Sequence, residues 1–173
     1  AVDQCLAWIS FYDATGGSST WTVCTGTRLD PCSCLGAGGD DPVCNDDGTA
    51  VVTIALGEGN YHGTLPSSID AWADIQAFAV QGGGGSLLTG TIPPSIGAAW
   101  KSITSFQVYQ NQFTGLLPAL AFEQMTHGCY LFDPANGGKN AFACPLPGGA
   151  SHNCLKRVAE AGGWLDITDK DCT

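Results

Sequence analysis

Residues 103–118, ITSFQVYQNQFTGLLP, decide how the rest of the chain is read. Apolar side chains fall at Ile103, Phe106, Val108 and Phe113, followed by Gly115, Leu117 and Pro118. That spacing fits neither an amphipathic helix nor a continuously alternating strand. It predicts a short strand over 105–109 with Phe106 and Val108 pointing inward, then a turn in which Asn111 bonds neighbouring backbone. Phe113 returns the chain to the interior, and Gly115 and Pro118 bend it again.

The same device occurs twice upstream. Val51, Ile54, Leu56, Tyr61, Gly63, Leu65 and Pro66 match it position for position. Ile75, Phe78 and Val80 match its first half, and Leu88, Gly90, Ile92 and Pro93 its second. The starts at 51, 75 and 103 lie 24 and 28 residues apart, inside the range of leucine-rich repeats. GTLPSSI, GTIPPSI and GLLPALA resemble the second half of the plant-type leucine-rich repeat, LxxLxLxxNxLxGxIPxxI. The resemblance implies an α/β repeat fold: a short right-handed solenoid with disulfide-bonded caps and parallel strands near 53–57, 77–81 and 105–109. Ile54, Phe78, Phe106 and Leu56, Val80, Val108 would form its inward ladders. Two departures stand out. Gly59 replaces the repeat's Asn in the first copy, and QGGGGS at 81–86 interrupts the second, where its glycines are expected to form a loop projecting from one rim.

The segments on either side read as caps, which a repeat array needs to cover the edges of its core. We divide the chain into an N-terminal Cys-rich cap (1–50), three to four repeats (51–147) and a C-terminal cap (148–173), all one structural domain. Cys5, Leu6, Ile9 and Tyr12, with Trp8, predict a helical face that Ala14 to Gly17 ends. QCLAWISFYDATGGSSTWT, DPCSC and VCNDDGTAVVTI resemble the caps of many eukaryotic repeats of this type. The usual Trp-x-Gly-Val is replaced here by LGAGGDDPV. Beyond Pro118, Tyr130 and Phe132 predict a fourth strand, Asn140, Phe142 and Pro145 follow the repeat's second half, and DPANGGK is an insertion between them. KNAFACPLPGGASHNC resembles a secreted C-terminal cap, and that resemblance implies a Cys144–Cys154 bridge. A helical turn is expected over 158–164.

Nine cysteines without CxxC spacing, lying in two clusters, indicate an oxidising compartment. A solenoid keeps its ends apart, so bridges are expected within each cluster. Cys129 would then pair with Cys172, Cys5 with Cys24, and Cys44 with either Cys32 or Cys34. The cysteine left over, Cys32 in the preferred arrangement, is expected to be free, buried or bonded to another molecule.

Composition excludes several classes. A chain of 173 residues, 44% apolar and 13% charged, is globular. Its charge of −10 with only six basic residues argues against nucleic acid. No apolar run is long enough for a membrane span. A start at Ala1 without Met or apolar leader suits a secreted chain after signal cleavage, or a trimmed one. There is no Asn-x-Ser/Thr acceptor for N-linked sugar, whereas Ser/Thr-linked sugar stays open.

No catalytic signature is present: neither GxSxG nor HExxH occurs, and GGGG lacks the Lys-Ser/Thr of a phosphate loop. His62, His127 and His152 are scattered, with His62 read as a surface turn residue. Asp40, Asp41, Asp46 and Asp47 are either calcium ligands or a solvated turn. Their irregular spacing favours the turn, and no metal or other cofactor is expected. Trp72 and Trp100 stand where the repeat family has Leu. That favours a buried column over exposed platforms for sugars.

The strand residues between the buried ones are expected to face the concave side: Thr53, Ala55 and Gly57; Ala77, Ala79 and Gln81; Ser105, Gln107 and Tyr109. None is charged, and most are small. Such a surface suits a non-enzymatic extracellular or cell-surface protein, a structural or adhesive subunit binding protein partners or further copies of itself. The alternative is a recognition module, resembling receptor ectodomains or enzyme inhibitors, with protein or glycan on its concave face.

Overall fold

The computed structural model describes residues 2–34, 43–57, 60–83, 87–125, 128–133, 139–158, 163–168 and 170–173. Two sheets run along a short solenoid. The first has six strands in the order β1 (Thr53–Ala55), β3 (Ala77–Ala79), β5 (Ser105–Gln107), β7 (Cys129–Phe132), β9 (Cys154–Val158) and β10 (Gly163–Asp166). The second joins β2 (His62–Thr64), β4 (Leu87–Thr91), β6 (Gln112–Leu116) and β8 (Ala141–Ala143). Every pairing is parallel except the β9–β10 hairpin. Short helical pieces complete the turns at Ser67–Ala71, α2 (Ile96–Ala99), Phe122–Gln124 and α3 (Ala150–Asn153).

The inward ladder forms as its sequence predicts. Ile54 pairs with Phe78 and Phe78 with Phe106, and all three are fully buried, as are Leu56, Val80 and Val108. One hydrogen-bonded layer therefore places like side chains over like, the arrangement that lets each repeat close its neighbour's core. Trp72 and Trp100 are buried too. Their indole nitrogens donate to Gln4 O and Ile69 O, so they serve the core column and are not sugar platforms. Asn111 holds the turn after β5: its Oδ1 accepts from Leu88 N while its Nδ2 donates to Val80 O and Val108 O. Asn140 does the same one coil later, bonding Phe113 N, Val108 O and Leu131 O.

Several expectations need correction. Helix α1 (Val2–Ala14) buries Ala7, Trp8, Phe11 and Tyr12, while Cys5 and Leu6 face solvent. The large rings set the rotation, because an aromatic side chain removes more area from water than Leu or Cys. Trp21 joins them from the following loop, 4.8 Å from Tyr12 between ring centroids, and Phe11 reaches Trp72 and Phe78 in the repeats. Gly82 and Gly83 are buried rather than projecting. Gly82 N donates to Tyr109 O, and a Cβ there would lie 1.6 Å from Gln110 O, so only glycine fits. Gly84 to Ser86 and Gly59 lie outside the described residues. Of the helical turn expected over 158–164, residues 159–162 lie outside the described residues, and both flanks are strand: Val158 ends β9, and Gly163 and Trp164 lie in β10.

The bridges stay within the two clusters, but with other partners. They are Cys24–Cys34, Cys32–Cys44, Cys129–Cys154 and Cys144–Cys172, and the free cysteine is Cys5, not Cys32. Cys5 cannot meet Cys24 because it rides the solvent side of α1. Cys129 and Cys154 are register partners on β7 and β9, 4.4 Å apart at Cα. Cys144 instead follows β8 in the other sheet, where the C-terminal tail arrives: Thr173 N donates to Phe142 O. Asn45–Gly48 is the expected turn. Gly48 N donates to Asn45 O, and Asp46 and Asp47 are exposed. Asp40 and Asp41 lie outside the described residues, among which no group of three acidic, His or Cys side chains is placed to hold a metal.

Candidate functional site

Three rows of side chains cross the outer face of the first sheet, because each strand alternates and the strands are in register. Thr53, Ala77 and Ser105 form one row. Ala55, Ala79, Gln107 and Tyr130 form the next. Gly57, Gln81 and Tyr109 extend the strands at their ends. Most of these residues are half-buried, but Ser105 and Ala79 are only 6% and 8% exposed and add little surface. Gln107 covers Ser105, with its Nε2 donating to the Ser105 hydroxyl. The floor of this face is thus small-sided and uncharged, and it needs little desolvation to be covered.

Its C-terminal end is different. Tyr109, Tyr130 and Trp164 form a half-buried trio, with centroids 6.3 Å apart for Tyr109–Tyr130, 5.4 Å for Tyr109–Trp164 and 4.4 Å for Tyr130–Trp164. The rings meet edge to face or tilted, the favoured geometry for aromatic pairs, so each fixes the others' positions. Sequence reasoning found Tyr109 alone. Tyr130 was legible in principle, since it continues the Ala55–Ala79–Gln107 row by strand alternation: Cys129 and Leu131 are buried on either side of it. Trp164 carried no signal. It reaches the trio only because β10 folds back antiparallel on β9, outside the repeat pattern.

His62 is exposed on β2, where its N donates to Thr15 O, so it is a surface strand residue rather than a turn residue. His127 lies outside the described residues, and His152 falls within α3. No helix among the described residues is long and apolar enough to cross a membrane.

No family model and no curated protein matches the chain. Solved structures do match. The leucine-rich-repeat ectodomain of the plant membrane receptor kinase GASSHO1/SCHENGEN3 from Arabidopsis thaliana, in complex with CASPARIAN STRIP INTEGRITY FACTOR 2, aligns with a TM-score of 0.60 and 15% identity. That alignment covers 90% of this chain and 20% of the receptor chain. The BIR2 ectodomain from Arabidopsis thaliana aligns at 0.53 with 16% identity, over 87% of this chain and 86% of its own. PEPR1 in complex with AtPEP1 aligns at 0.51 with 16% identity, over 85% and 22%. The chain spans about a fifth of the length of the first and third of these chains. At such identities the likeness is one of fold. The protein is a disulfide-capped α/β leucine-rich-repeat solenoid.

Proposed function

We propose that this is a non-enzymatic extracellular protein that binds a polypeptide partner across its concave sheet, with Tyr109, Tyr130 and Trp164 as the anchor. The observation that carries this reading is the trio itself, which stands at one end of a flat uncharged floor. Rigid Tyr and Trp side chains with a polar tip are the residues that most often dominate binding energy at protein interfaces. A floor of Thr, Ala and Gln lets an extended backbone approach closely without charge desolvation. The four bridges suit an oxidising, extracellular setting. The structure aligned above in complex with CASPARIAN STRIP INTEGRITY FACTOR 2 is a receptor-kinase ectodomain, which makes recognition the natural class to test.

A second reading keeps the same face and makes the partner another copy, in a structural or adhesive assembly. It is favoured by the neutrality of the floor in a chain of charge −10, since only an uncharged face can be buried against itself without like-charge repulsion. One set of variants tests both readings. Peptides selected from a random display library on immobilised protein are titrated calorimetrically, and self-association is followed by sedimentation equilibrium. Trp164→Ala and Gln107→Arg should each weaken peptide binding at least tenfold, roughly 1.4 kcal/mol or more. Thr91→Arg, on the second sheet, should leave it unchanged. Peptide binding that ignores Gln107→Arg removes the concave face as the site. A concentration-dependent dimer lost in Gln107→Arg selects the self-association reading.

A further inference from the structure

Apart from the concave rows, a pocket of about 350 Å³ opens where the C-terminal tail crosses the ends of the two sheets. Phe132, Asp133, Lys139, Lys156, Lys170 and Asp171 line it. Its volume is at the lower end of the roughly 300–1,000 Å³ typical of small-molecule sites. Three of the chain's six basic residues gather here, although the chain as a whole is strongly acidic.

The pocket is held in shape from several sides. The Cys144–Cys172 bridge ties the tail to the end of β8, and Lys156 Nζ pairs with Asp171 at 2.5 Å. Asp171 in turn accepts from the backbone and hydroxyl of Thr168. Phe132 stands edge-on to Phe142 at 5.7 Å, and Asp133 accepts from Gln110 Nε2 at 2.9 Å. Asp171 thus balances Lys156. Lys139 and Lys170 are exposed and make no ion pair among the described residues.

An apolar ring and a lining in which three lysines outnumber two aspartates define what fits. The cations are all lysines. A lysine is a compact point charge with rotatable donors, which serves a tetrahedral oxyanion well, whereas planar carboxylates are better matched by the arginine fork that this lining lacks. We propose that the pocket binds a sugar-sized ring carrying a sulfate or phosphate ester, with the ring against Phe132 and the ester between Lys139 and Lys170.

Isothermal titration of the intact chain with glucose 6-sulfate, glucose 6-phosphate, glucose and sodium sulfate tests this. One or both esters should bind, and should weaken as salt rises because the lysines are exposed. Whichever ester binds tighter identifies the source of the oxyanion. Lys139→Gln/Lys170→Gln, which alters only exposed side chains, should weaken binding at least tenfold. Lys101→Gln, whose ammonium donates to Gly97 O on α2, should not. Three results overturn the proposal: no heat from either ester at about 10 mM, esters bound no better than glucose or free sulfate, or binding indifferent to the double lysine change.

Discussion

At the scale of single residues, the fold rests on side chains that do one job in every coil. Phe106 shows the apolar half of this. It is fully buried, lies in register with Phe78 and stacks on it with centroids 6.0 Å apart. Truncation to Ala opens a cavity that two flanking coils cannot collapse into, and should cost about 3–5 kcal/mol in urea or thermal unfolding. Asn111 shows the polar half. Val80 O just past β3 and Leu88 N on β4 both face the turn after β5, and the one Asn111 amide side chain satisfies both. Gly63 is the steric counterpart. Its φ is +114° and a Cβ would stand 2.1 Å from Ala14 O, so the second sheet can meet the end of α1 only through glycine.

At the scale of elements, the caps behave differently from the repeats. Helix α1 is tied to the following loop by Arg28, whose guanidinium donates twice to Asp13. That hydrogen bond holds the Asp13 carboxyl below its ordinary value, but both groups are exposed, so the helix depends on its aromatic face for stability. The C-terminal tail has a better-shielded pair. Burial pushes the Asp171 carboxyl up, yet hydrogen bonds from Lys156 and Thr168 outweigh it and hold the group below its ordinary 3.8. A carboxyl depressed in the folded state binds its proton less readily than in the unfolded chain. Its contribution is therefore complete above about pH 4 and is lost as pH falls through the depressed folded value. Asp171→Asn should lower the melting temperature at about pH 6, and the gap to the parent should close towards about pH 2. A constant gap across that range would show that the aspartate's charge is not what anchors the tail.

At the scale of the whole molecule, the cysteines report the arrangement of the two caps. Eight of the nine are bridged within their own end of the solenoid, and Cys5 alone is a thiol, exposed on α1. Alkylation of the native protein without reductant should add one label, at Cys5, and Cys5→Ser should add none while melting at the parent's temperature. A label on Cys32, or on any of the last four cysteines, would contradict the pairing described here. A native mass of twice the chain that halves on reduction would place Cys5 in a bridge between copies.

What the sequence determined by itself is whatever repeats. The strand around Phe106 and the Asn111 turn follow from local spacing, whereas parallel strands, the Ile54–Phe78–Phe106 ladder and the buried tryptophans follow from the resemblance of the repeated pattern to the leucine-rich repeat, in which each coil meets a neighbour with the same pattern. Tertiary structure alone decided the parts that occur once. The rotation of α1 depended on where Trp21, Trp72 and Phe78 stood, and that contact lies far along the chain. The partners of Cys144 and Cys154 depended on which sheet each strand joined, which nearness in sequence does not reveal. Trp164 met Tyr109 and Tyr130 only because residues after the last repeat turned back as an antiparallel strand. A periodic pattern carries its own register; a single closing hairpin takes its place from the surface it covers.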